Sequence, residues 1–202
     1  GSSLVGSEMC IRDRNKWKIS CGIVDKEALI VNGKPKTSYS KQEFKVNKVS
    51  FKLDKGDIGK CKPDKKPSGG YSYSGRQEIT HRLPSGNTIF ETDIIVKGAP
   101  QARSTIFQIH DGRNKGAPPS WIGVGGDWKI INQFPKGECS PENCKMFKLL
   151  YLEPDKEYKL KADIIYDTKN KRISVKYYLN NIFFLQHLNV PISKKFTDGS
   201  YG

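Results

Sequence analysis

The chain has 202 residues, with 35 Lys+Arg against 21 Asp+Glu and a formal charge of +14. Its 36% hydrophobic and 10% aromatic residues make it polar for a globular protein but too aromatic for a disordered one. No apolar run approaches the ~18–20 residues of a membrane-spanning helix, so an integral membrane protein is not expected. The length fits one domain, and the excess of base points to a polyanionic partner, whether nucleic acid, a membrane surface or an acidic polysaccharide.

Residues 1–14 stand apart. The string Ser2-Ser-Leu-Val-Gly-Ser-Glu-Met-Cys-Ile-Arg-Asp-Arg14 looks like a translated sequencing adapter, and it lacks the apolar core of a signal peptide. It is expected to be a non-native leader, with a single domain over 15–202. Its Arg12 and Arg14 balance Glu8 and Asp13, so the charge of the remainder is still +14.

From there the chain reads as β-structure. Phe44 and Val46, then Val49, Phe51 and Leu53, alternate with polar residues at period two, which marks strands with one buried face. The segment 75–82 holds Arg76, Glu78 and Thr80 on one side. Thr88 to Val96 is a further strand. Ser104 to His110 follows, with Thr105, Phe107 and Ile109 expected on one face and Ile106, Gln108 and His110 on the other. Tyr158 to Tyr166 alternates over nine residues, Ile173 to Leu179 repeats the pattern, and Asn180-Asn181 offers a tight hairpin turn into Ile182. Glycine- and proline-rich clusters, Gly116 to Ser120 and Gly123 to Asp127 among them, read as breakers between strands. No sustained helical period occurs, so the expected fold is an all-β antiparallel sandwich.

Beyond Cys10, four cysteines remain: Cys21, Cys61, Cys139 and Cys144. Cys139 and Cys144 bracket a Ser-Pro-Glu-Asn turn suited to a local disulfide, which leaves Cys21 with Cys61. Free thiols and a four-cysteine zinc site are the alternatives, although the Cys-x2-Cys pairs usual for zinc are missing. Disulfides would imply a secreted or extracellular location.

Two tripeptides carry chemistry. Gln108 and His110 lie two apart on an otherwise apolar strand, where burial without partners is costly. Arg76 and Glu78 are placed to hold each other while part of the guanidinium fork stays free for an anion. Each also has an ordinary reading, as a satisfied polar pair and as an exposed ion pair. In this order, with about thirty residues between them, they resemble the jelly-roll polysaccharide lyases: the heparin lyase-like, alginate lyase and glucuronan lyase group. The Gly-Asp ending of Phe51 to Asp57 and the hairpin over 158–185 are similar to elements of those enzymes.

The resemblance implies a β-jelly roll of concanavalin-like architecture and an enzyme that cleaves a uronic-acid polysaccharide by β-elimination. The C5 proton of a uronate is weakly acidic, so its carboxylate must be neutralised before a base can take that proton. Gln108 and Arg76 would bind the carboxylate and stabilise the dianion that develops. His110, with an unperturbed pKa of ~6.5, would be the base or would assist neutralisation. Glu78 would orient Arg76. Arg113 and Lys115, in the loop after His110, are candidates for neighbouring carboxylates or sulfates, with solvated loop charge as the alternative. Trp121 and Trp128 flank a glycine-rich run; Trp121 is a candidate for stacking on a sugar ring, against a packing role.

The chain departs from that family at one motif. No Lys-x-Gly-x-Tyr, whose tyrosine protonates the leaving oxygen in those enzymes, occurs in the sequence. A missing final strand is therefore expected, with Tyr201 a loop residue and turnover poor. No cofactor is expected, although some relatives use calcium; no oxygen-ligand loop is evident. An anionic polysaccharide is the expected partner, with neither nucleic acid nor a membrane, and a monomer is the expected state. A lectin-like, non-catalytic sandwich is the alternative function. A glycoside hydrolase built on Glu91 and Asp93 lacks the further acidic residue such a strand carries. Nucleic-acid binding has no supporting motif, because the basic residues are scattered. His81 and His187 belong to no motif.

Overall fold

A computed structural model describes residues 83–97, 104–111 and 117–193 in full; of 1–82 it describes only the backbone of strands β1 to β7. The chain divides into two compact units, Gly1–His81 and Arg82–Gly202.

In the first unit, β1 (Lys18–Val24) pairs antiparallel with β2 (Thr37–Ser38), β5 (Gly59–Lys65) and β7 (Glu78–Thr80), and β5 pairs with β6 (Tyr71–Ser74). A separate hairpin joins β3 (Gln42–Lys45) to β4 (Lys48–Phe51). Gly22 faces Lys60 across β1 and β5.

The second unit is a sandwich of two antiparallel sheets. The larger has the order β12 (Cys144–Met146), β15 (Ile182–Pro191), β14 (Arg172–Leu179), β13 (Glu157–Asp167) and β8 (Gly86–Ile95). The smaller has the order β11 (Ile130–Gln133), β10 (Ser120–Val124) and β9 (Ser104–Ile109). All the described strands that pair do so antiparallel, and among the described residues there is no helix.

Period-two burial explains the large sheet. Tyr158, Leu160, Ala162, Ile164 and Tyr166 on β13, with Ile173, Val175, Tyr177 and Leu179 on β14, point into the core, and their neighbours point out. From the small sheet, Ile109, Ile122, Val124 and Ile130 close over them. Phe107 stacks on Phe90 of β8 and meets Tyr177 edge-on, which ties the two sheets together. The β14–β15 hairpin turns on Asn180 and Asn181, both at positive φ (49° and 64°), as a two-residue type I′ loop requires. Asn180 also accepts the Lys159 N–H with its Oδ1.

One element differs from expectation. The run around Gly123 is a strand and not a breaker, because Ser120 to Val124 is buried at every position and so shows no alternation. A Cβ on Gly123 would lie 2.3 Å from the Ser104 carbonyl oxygen and 2.5 Å from the Trp121 ring; only glycine fits there. The break comes later, at a tight loop where Trp128 N–H donates to the Gly125 carbonyl and Trp128 takes φ 65°. The short strand β12 follows the Cys139–Cys144 disulfide, which forms as the spacing predicts.

Candidate functional site

The small sheet carries polar groups on both of its faces, and strand register assigns each one. Ile122 pairs with Phe107 and Ser120 with Ile109; these four point inward. Trp121 pairs with Gln108 on one side and Gln133 on the other, so the three form a row across β9, β10 and β11 on the face turned away from the core. Gly123 pairs with Thr105 and Ile131 in the next row of that face. Strict alternation puts Thr105 with Phe107 and Ile109, but a bulge at Ile106 turns it to the face of Gln108, three residues on.

The Trp121 indole lies over Gly123 and donates from Nε1 to Thr105 Oγ1 at 2.8 Å. Its ring is 5% exposed and stands outside the apolar core cluster. Gln108 and Gln133 are half-buried on either side, two carboxamides whose N–H groups can donate to an anion and whose oxygens can accept from hydroxyls. His110 follows β9. Alternation puts it on the side of Gln108, because Ile109 and Asp111, its neighbours in sequence, are both buried. Asp111 is 1% exposed, and its Oδ2 accepts the Ser193 N–H at 2.6 Å. The end of β9, and with it His110, is thereby fastened to the segment that leaves β15.

The inner face carries a second polar cluster that sequence reading missed. Ser120 Oγ hydrogen-bonds the Tyr177 hydroxyl and lies 2.8 Å from His187 Nδ1; Asn132 Nδ2 lies 3.2 Å from His187 Nε2. Ser120, Tyr177 and His187 have no exposed surface. Burial pushes His187 down to about 4 and raises the Tyr177 phenol, partly offset by its bond to Ser120, so both stay neutral near pH 7. A serine beside a histidine has the makings of an activated nucleophile. With no opening to substrate, the contact instead satisfies polar groups between the sheets. The available signal was a tyrosine and a histidine at inward positions of apolar strands, each needing a partner.

The remaining predicted residues are distributed as follows. Glu78 opens β7 in the first unit, with Cys21 in β1 and Cys61 in β5. Arg76, Arg113, Lys115, His81 and Tyr201 lie outside the described residues. Trp121 and Trp128 are not brought together: the first lies on the outer face, whereas the second packs against the core. Among the described residues no three His, Cys, Asp or Glu side chains gather as metal ligands. No protein-family model, no curated protein and no solved structure matches the chain.

Proposed function

We propose that the chain is a polysaccharide lyase of jelly-roll type that acts on a uronic-acid polymer by β-elimination. One observation carries this reading: Gln108, Trp121 and Gln133 stand side by side on the outer face of the small sheet, with His110 just past the end of β9. A carboxamide row beside an imidazole suits a sugar carboxylate. The N–H groups of Gln108 hold the carboxylate, and charge that builds up on it as C5 loses its proton is stabilised where it forms. His110 takes the C5 proton or helps to neutralise the carboxylate. The electron pair of that C–H bond becomes the C4–C5 double bond as the C4–O bond breaks, and the leaving oxygen gains a proton. Arg113 and Lys115 hold neighbouring acidic sugars, and the net charge of +14 draws in the polymer.

The protein acts outside the cell, where the Cys139–Cys144 disulfide persists. A lectin-like reading is favoured by a different observation, the absence of a Lys-x-Gly-x-Tyr segment to protonate the leaving oxygen. The two readings separate on a panel of alginate, glucuronan and heparin. A lyase generates unsaturated-uronate absorbance, slowly here for want of that tyrosine, and loses it on Gln108→Ala. A lectin binds and generates none.

A further inference from the structure

His110 lies one residue beyond the last pair of the β9–β10 ladder, Ile109 with Ser120, so the ladder fixes its chain on one side only. On the other side stands Asp111, whose carboxylate is buried. Burying a carboxylate among apolar strands is costly unless donors hold its oxygens. Asp111 Oδ2 accepts the Ser193 N–H at 2.6 Å, a short, charge-assisted bond between residues 82 apart in sequence.

The far end of that bond is itself anchored. Ser193 follows Ile192, which is buried in the core cluster and donates its own N–H to the Lys171 carbonyl at 3.0 Å. The carboxylate therefore ties the end of β9, in the small sheet, to a fixed point on the chain leaving β15, in the large one. Ile109 and Asp111 are both buried, while His110 between them is half-buried. An apolar side chain at this depth would close the sandwich without the desolvation of a charge. What the hydrogen bond adds is direction, because it fixes the backbone at the residue after His110.

We propose that Asp111 is a positioning residue for His110, acting through its bond to the Ser193 N–H. The consequence for turnover rests on the function proposed above; the hold on His110 rests on the fold alone. A base must stand within ~3 Å of the proton it removes, and a displacement of about 1 Å can cost a hundredfold in rate. Without the bond, the chain beyond Ile109 loses that anchor and the imidazole moves with it.

The test compares three variants of the whole chain. Asp111→Ala removes the acceptor, Ser193→Pro removes the donor, and Asp111→Asn keeps an amide oxygen that accepts the same N–H. Ser193→Pro carries the comparison if Asp111→Ala does not fold. The first readout is NMR of the imidazole rings; the chain has three histidines, so substitution assigns each ring. The His110 signals shift and broaden in Asp111→Ala and Ser193→Pro and stay near their original places in Asp111→Asn, while the His187 signals stay unchanged in all three. The second readout is unsaturated-uronate formation. In the first two variants kcat falls about tenfold or more with KM within about twofold, and Asp111→Asn recovers most of the rate. An Asp111→Ala protein that melts lower but keeps its His110 signals and its kcat overturns the proposal, because the carboxylate then only closes the sandwich. Equal losses from Asp111→Ala and Asp111→Asn overturn it too, because the accepted hydrogen bond is then not the cause. Failure of the lyase reading is distinct: no polymer is turned over by any of the proteins, and the His110 signals decide the positioning role.

Discussion

The two faces of strand β10 hold polar groups of similar chemistry in opposite circumstances. Inward, Ser120 joins Tyr177, His187 and Asn132 in a network sealed between the sheets. Outward, Trp121 lies between Gln108 and Gln133, residues that keep part of their surface. The inner cluster contains the residues that look more like catalytic machinery, a serine and a histidine in hydrogen-bond contact. Burial decides against them. A polar group with no exposed surface contributes specificity of packing, whereas the carboxamides of Gln108 and Gln133 keep part of their surface.

The sharpest way to break this comparison is to remove His187. His187→Ala leaves a cavity and removes partners from Ser120 and Asn132, so unfolding free energy should fall by about 3–4 kcal/mol in urea titration. A loss within ~0.5 kcal/mol would mean that the inner network does not hold the sheets together.

Acid acts on the same residue. In the fold His187 titrates near 4, below its unfolded value, so the unfolded chain binds the extra proton between these two values. Stability is therefore intact above about pH 6.5 and declines as pH falls toward 4, by about 3 kcal/mol in all. The groups facing the imidazole, Tyr177, Ser120 and Asn132, carry no charge in that window, and Cys144, its neighbour on β12, is in a disulfide. His187→Gln should flatten this part of the pH profile in thermal melts. An unchanged slope would assign it to other groups.

Outside, the pattern reverses. Gln108→Ala should change stability by no more than about 0.5 kcal/mol. It should nevertheless cost about a hundredfold in kcat/KM on polyuronate, since an oxyanion-type donor is lost. The smallest effect is expected away from both clusters, at the β14–β15 turn. Asn181→Val places a branched side chain at φ 64° and should cost about 1–2 kcal/mol without altering turnover.

How much of this was legible follows from where each residue's partners lie. Strands β8, β9, β13, β14 and the start of β15 have one buried face, so period two exposes them, and Asn180-Asn181 marks the turn by its chemistry. Strand β10 is buried on both faces and carries Gly123, so it offered neither alternation nor β-propensity. Gln108 and His110 were readable as a pair because alternation is local. Gln133 was not, because its place beside Trp121 depends on a hairpin whose loop, Gly125 to Lys129, reads only as a break. The inner network joins residues 55 to 67 positions apart, and no local pattern encodes that distance. Arg76 and Glu78 were readable as a local pair, but their link to Gln108 and His110 came only from the resemblance, which strand register does not address.

The most direct test of the central claim is the growth of unsaturated-uronate absorbance from this chain and from Gln108→Ala across alginate, glucuronan and heparin. Slow turnover of one polymer by the unaltered chain, cut about a hundredfold in a Gln108→Ala protein of unchanged melting temperature, is the predicted result. No absorbance from any polymer, or equal rates from the two proteins, would contradict it.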